Sequence, residues 1–214
     1  MEGIIKKYRT IFRGIRQEMN KWEILQLRLL SEFRAASAIL ERFATIHDLK
    51  NYGSLRTING IEASLVGKQL DSLKTIFSSM CQTLDDFNNI VKFFKRSQLE
   101  GSQLVKQSSS TNLSAKALRQ NIGVKPSLGV CLDGLMQIHE MHHSEYPFLF
   151  ANLNIHRVYV DRYLLKSSIF SALEEMFLKS KYSDLGALEQ ILVDQPNIPV
   201  EEVDAIFSII FGED

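Results

Sequence analysis

Residues 4–43 read IIKKYRTIFRGIRQEMNKWEILQLRLLSEFRAASAILERF. Within them Ile4, Tyr8, Ile11, Ile15, Met19, Trp22, Leu29, Phe33, Ala36, Leu40 and Phe43 recur at alternating steps of three and four. The one longer step falls where Gln26 interrupts. This is an apolar stripe with a period near 3.5, which specifies a long helix that packs along another helix. No proline occurs before position 126, so nothing in the first half forbids such a helix.

Working outward, Asp48, Asn51 and Gly53 break the pattern. A second stripe then runs through Ile58, Ile61, Leu65, Leu73, Ile76, Met80, Leu84, Phe87, Val91 and Phe94. Two such helices joined by a short turn form an antiparallel hairpin with coiled-coil-like packing, expected over residues 1–96. Gly60 and Gly67 weaken the start of the second helix, by about 1 kcal/mol each where exposed. Residues 97–125 are rich in Ser and Gln and poor in large apolar groups, which reads as a flexible basic linker.

A smaller C-terminal helical region follows over residues 126–214. Ser127 is placed to cap a helix whose buried face is Leu128, Cys131, Leu132, Leu135, Ile138 and Met141. Tyr146-Pro147 is expected to stop or kink it. The apolar insert from Phe148 to Asn154 should dock on something, and a further helix is expected from about Ile155 to Lys181. Ser183-Asp184 starts a shorter helix through Leu192. Pro199 opens the last helix at its first turn, with Glu201, Glu202 and Asp204 at the positive end of the dipole. That helix is apolar nearly all round, so burial is expected. No strand pattern and no internal repeat is present, and the fold class is all-α.

The 214 residues carry 25 basic and 25 acidic groups. Zero net charge gives no electrostatic case for direct nucleic-acid binding or for an anionic membrane surface. The charge is unevenly spread: Lys92 to Lys125 holds seven bases and one acid, and Ser183 to Asp214 holds eight acids and no base. Cys81 and Cys131 are too few for a disulfide framework and are expected to be buried structural thiols. The N-terminus lacks a signal-peptide core, and no apolar run approaches the ~20 residues needed to span a bilayer. A cytoplasmic and nuclear protein is expected.

One motif touches on chemistry. His139-Glu140-Met141-His142-His143 matches H-E-x-x-H, in which two histidines on one helix face bind zinc beside a general base. The context is poor. A metzincin would need Gly and His where Tyr146 and Leu149 stand, and a third ligand would have to come from Glu174 or Glu175. His139 and His143 are therefore only weak metal candidates, read first as solvent-facing side chains at a helix end. A zinc hydrolase on His139, Glu140 and His143 is the remote alternative.

Gly60 to Lys68 has six residues between its glycines rather than the four of a phosphate loop, and Gln69 where Ser or Thr must hold magnesium. There is no G-x-S-x-G, so Ser167 and Ser168 are ordinary helix residues. No catalytic residue and no cofactor is expected. Phe93-Phe94, next to Lys92, Lys95 and Arg96, is the best candidate for an exposed interaction patch.

The segment Pro126-Ser127, Leu132-Asp133-Gly134-Leu135 and Ile138 resembles the AIRIM family of ribosome maturation factors. The run Tyr159-Val160-Asp161-Arg162 leading to Leu165 and Ser167-Ser168-Ile169 is similar to that family's next motif, as is the acidic end Phe211-Gly212-Glu213-Asp214. The specific part covers about 40 residues, and the chain departs from the pattern by about 13 extra residues between Tyr146 and Tyr159. The cyclin-dependent-kinase-interacting protein CINP has a similar helical layout.

The resemblance implies a non-catalytic adaptor subunit of an AAA ATPase complex acting in cytoplasmic maturation of the large (60S) ribosomal subunit. Its partners would be the ATPase subunits, a CINP-like helical protein and, indirectly, pre-60S particles. The residues expected at the partner contact are Leu132, Leu135, Ile138, Tyr159, Arg162, Leu165 and Ile169, with Phe207 and Phe211 on the last helix. A helical scaffold or tether of another complex is the alternative.

Overall fold

The computed structural model describes residues 2–109, 125–164 and 183–212. Every element among them is helical: α1 (Glu2–His47), a 3₁₀ segment (Leu49–Thr57), α2 (Ile61–Ser109), α3 (Leu128–Leu164), α4 (Ser183–Asp194) and α5 (Val200–Phe211). The two seams quoted above become the 46-residue α1 and the 49-residue α2.

What ends α1 is visible in its caps. The last turn of a helix leaves carbonyls without helical partners. Asn51 Nδ2 donates to the Thr45 carbonyl at 2.8 Å and the Tyr52 hydroxyl to that of Ile46 at 2.6 Å. Asp48 accepts from the Lys50 N–H at 3.0 Å and so starts the 3₁₀ segment. Gly53 (φ 51°) and Gly60 (φ 77°) make the two left-handed turns that reverse the chain. Gly60 therefore stands before α2 rather than inside it, and of these two only Gly67 lies within the helix.

The chain forms two units, and α1 and α2 contribute to both. One contains residues 25–85 and 149–194. Here Ala36, Ile39 and Phe43 of α1 pack with Val66 and Leu73 of α2. Arg28 meets Ser79, and His47 Nδ1 lies 3.0 Å from Glu62 Oε1, so the two helices run antiparallel. Glu32 accepts from Arg28 Nε, Ser79 Oγ and Thr83 Oγ1, which places a carboxylate between the helices fully supplied with donors. Gln26, the gap in the α1 stripe, is buried and donates through Nε2 to the Leu192 carbonyl of α4. Arg34 pairs with Glu189 of α4 at 2.7 Å.

The other unit contains residues 1–24, 86–148 and 195–214. Tyr8 meets Gly101 and Trp22 meets Phe87, so α1 and α2 are antiparallel here too. His142 of α3 meets both Trp22 and Phe94, and Leu135 lies against Gly101. On α5, Phe207 meets Phe12, and Ile206 lies against Gly134. The core between these four helices includes Tyr8, Phe12, Ile15, Phe87, Phe94, Leu128, Leu135, Ile138, Ile206 and Ile210.

Several expectations change. α2 does not end near residue 96 but continues through Ser109, so residues 97–109 are helix rather than linker. The reason is steric: Ser97 and Gly101 are buried, and their small size lets α2 close on its neighbours, as the Tyr8 hydroxyl shows by donating to the Gly101 carbonyl at 2.7 Å. Residues 110–124 of the expected linker lie outside the described residues. Pro147 does not stop α3, which runs on to Leu164. Proline removes one donor, to the carbonyl four residues back, and the helix continues past that single loss. The insert from Phe148 to Asn154 and residues 155–164 are thus one helix with what precedes them, and residues 165–182 lie outside the described part.

α4 spans Ser183–Asp194 as its start signal implied. Pro199 is the N-cap of α5, one position before its first turn, with Glu201 and Glu202 inside that turn. α5 is not buried all round: Val203, Ile206, Phe207 and Ile210 face the core, while Val200 and Ile209 are 66% and 54% exposed. Its apolar side is one stripe with two outliers, and the acids occupy the rest. No helix among the described residues is long and apolar enough to cross a membrane.

Candidate functional site

The residues expected at a partner contact divide sharply. Leu135 and Ile138 are 1% and 0% exposed, and Phe207 is buried against Phe12, so these three build the unit's own core. Leu132 is half-buried. Phe211 is half-buried and stacks on Phe207, with Arg16 of α1 over both rings, 4.6 Å and 5.1 Å from their centroids. Arg9 Nη2 donates to the Phe211 carbonyl at 3.4 Å, which sets a cation at the negative end of α5. Tyr159 and Arg162 lie on the last part of α3, and Leu165 and Ile169 lie outside the described residues.

The turn into α5 is fixed by two side chains. Trp22 Nε1 donates to Gln195 Oε1 at 2.7 Å. Glu145 is fully buried, and its Oε2 accepts from both the backbone N–H and the Nδ2 of Asn197, at 3.0 and 2.9 Å. Gln195 holds a positive φ of 42°, the only such non-glycine among the described residues. A carboxyl cap and an indole donor thus hold a turn that a non-glycine residue adopts reluctantly.

The histidine cluster differs from its sequence reading. His139 and His143 are neighbours on α3, with ring centroids 5.4 Å apart, but His139 is half-buried and only His143 is exposed. Burial, His143 and Lys95 push the His139 imidazole below its usual range, with Glu140 pulling the other way. The residue the motif skipped is the buried one. His142 is 1% exposed, and its rings meet Trp22 and Phe94 edge-on at 4.8 and 4.7 Å. Nδ1 lies 2.8 Å from the Ile138 carbonyl, so Nδ1 carries the proton. Burial lowers its pKa to about 4. A neutral imidazole four residues along a helix, serving as a core aromatic, has no sequence signature beyond helical phase with Leu135 and Ile138. Among the described residues no three His, Cys, Asp or Glu side chains come together as metal donors. Glu174 and Glu175 lie outside them.

The thiols also separate. Cys131 is buried, which raises its pKa to about 11, with Arg9 opposing. Cys81 is exposed, against expectation, because it lies beside the stripe of Met80 and Leu84 rather than on it. Of the Phe93-Phe94 pair, Phe94 is 1% exposed and belongs to the core. Phe93 is half-buried, with its ring edge 3.3 Å from where a side chain on Gly14 would begin. The pair is a packing element with little free surface.

Taken together, these residues define an all-α protein whose long helix pair receives shorter helices from the C-terminal half. A family model described as "CA109-like: Ribosome biogenesis protein C1orf109-like" matches residues 2–147 and 152–214, and the chain belongs to that family, the AIRIM family it resembles in sequence. The role this supports is ribosome biogenesis. The match is interrupted at residues 148–151, a shorter break than the sequence pattern implied. No curated protein matches the chain.

Proposed function

We propose that the protein is a non-catalytic adaptor in cytoplasmic maturation of the large (60S) ribosomal subunit, working as a subunit of an AAA ATPase complex. The family match over nearly the whole chain carries the reading, because it ties this helical architecture to ribosome biogenesis. The side chains with chemical potential support it. His142 and Cys131 are buried, and Glu145 is committed to the α5 turn. ATP hydrolysis would belong to the partner ATPase, and a CINP-like helical protein would share the assembly. The adaptor would work in the cytoplasm and enter the nucleus.

Affinity purification of the tagged chain from its native cells, followed by mass spectrometry, tests this. AAA ATPase subunits and precursor large-subunit proteins should be recovered together. Recovery of an unrelated helical complex, with no AAA ATPase above background, would overturn the adaptor reading and favour a scaffold elsewhere.

A further inference from the structure

The unit of residues 1–24, 86–148 and 195–214 is divided by charge. Residues 2–24 of α1 and 86–109 of α2 hold ten Lys or Arg and five acids. Residues 128–148 of α3 and 195–212, which include α5, hold no Lys or Arg and six acids. One of the six is the buried Glu145. The other five, Asp133, Glu140, Glu201, Glu202 and Asp204, are exposed, and none forms an ion pair among the described residues.

The same side carries exposed apolar groups. Val130 and Met136 of α3 are 39% and 45% exposed, and Ile209 of α5 is 54% exposed. α3 and α5 run antiparallel, since Asn197 meets Glu145 and Ile206 meets Gly134. They approach closely there: a Cβ on Gly134 would stand 2.9 Å from Ile206 Cγ2. Val130 lies one turn before Gly134, and Ile209 nearly one turn after Ile206. At ~1.5 Å per residue the two come to about the same level on the outer side of the pair. Asp133 lies three residues after Val130 on α3, and Glu202 about two turns before Ile209 on α5, both exposed.

We propose that this outer face of α3 and α5 docks a basic amphipathic helix from another protein. Val130 and Ile209 would take apolar side chains of the incoming helix, and Asp133 and Glu202, both on the same side of that level, would meet its Lys or Arg. The acids repel phosphate, which excludes nucleic acid and anionic lipid from this face. The inference goes beyond the adaptor reading, because it holds whichever complex supplies the helix, and its test does not depend on recovering an ATPase.

A photo-crosslinking amino acid at Ile209, in the full chain expressed in its native cells, tests the proposal, with Gln17 on the exposed side of α1 as control position. Crosslinked peptides are identified by mass spectrometry. They should map to one Lys/Arg-rich segment with an apolar helical repeat in a different protein. The Asp133→Lys/Glu202→Lys double variant should cut the yield by ~10-fold or more, since it sets like charges against each other. Val130→Lys, a single exposed change, should do so independently. Unchanged circular dichroism and Trp22 fluorescence would show that both variants fold. Crosslinks to a second copy of this chain, to RNA or to a segment without basic residues would overturn the proposal. So would a yield no higher than from Gln17, or one the charge reversals leave intact.

Discussion

Trp22 Nε1 donates to Gln195 Oε1 at 2.7 Å, a bond between the middle of α1 and the turn that launches α5. The indole is 2% exposed and meets Phe87 and His142 edge-on. It therefore joins α1, α2, α3 and the α5 turn at one point. Trp22→Phe should cost about 1–3 kcal/mol, because it strands a partly buried acceptor as well as trimming a packed ring. Urea unfolding followed by far-ultraviolet circular dichroism measures this. A midpoint equal to wild type would show that the bond contributes nothing. Trp22 is the only tryptophan, so its emission in the wild type reports on this junction alone.

Two glycines in helices should respond in opposite directions to alanine. At Gly134 the added methyl would lie 2.9 Å from Ile206 Cγ2 and 3.3 Å from Phe12 Cζ, both within a packed core. Overpacking of that kind costs about 1–3 kcal/mol, which outweighs the gain in helix propensity. At Gly67 nothing lies within 4 Å, so alanine should stabilise by about 0.5–1 kcal/mol. Thermal unfolding of the two variants should move the transition down and up respectively. A higher transition temperature for Gly134→Ala would show that α5 can move aside without loss.

How far the sequence was legible follows from the same residues. Period alone placed α1 and α2, because 3.5-residue spacing over ten or more positions has no competing reading. It misplaced the end of α2, since Ser97 and Gly101 make a close helix contact with the side chains a linker would also use. It misjudged Pro147 for a related reason: proline signals a local donor loss, and only the surrounding packing decides whether the helix survives it. The candidate contact residues were chosen for being apolar and in phase, which is also what selects a core. Leu135, Ile138 and Phe207 are the result. Val130 and Ile209, by contrast, lie off the buried stripes, and only the α3–α5 pairing brings them together.

Glu32 shows what a polar residue inside the hairpin does. Its two oxygens take bonds from Arg28, Ser79 and Thr83, and Thr83 is fully buried. Thr83→Val keeps the shape and removes the donor at 3.0 Å to Oε2. The expected loss is about 1–2 kcal/mol, because one oxygen of a largely buried carboxylate is left without that donor. Glu32→Leu removes the carboxylate itself and should partly restore stability in the Thr83→Val background. A double-mutant cycle in chemical denaturation reads this directly. Strictly additive losses would mean the network is not coupled.

The buried imidazole of His142 makes stability depend on pH, and the sign follows from its environment. Burial is the main cause of its lowered pKa of about 4, His139 adds to it, and the Nδ1–H bond to the Ile138 carbonyl at 2.8 Å opposes it. The unfolded side chain titrates near 6.5, so between these values protons bind the unfolded chain more readily. The contribution is complete above about pH 6.5, shrinks as the pH falls towards 4, and stays lost below that. The full difference is about 3 kcal/mol. Wild-type urea midpoints should therefore fall between pH 7 and 4.5. His142→Leu keeps an apolar group between Trp22 and Phe94 but has no proton to bind, so its midpoint should fall less over the same window. The carboxylates act in both chains, and the difference in slope isolates His142. Equal slopes would place His142 in contact with water in solution and remove it from the core.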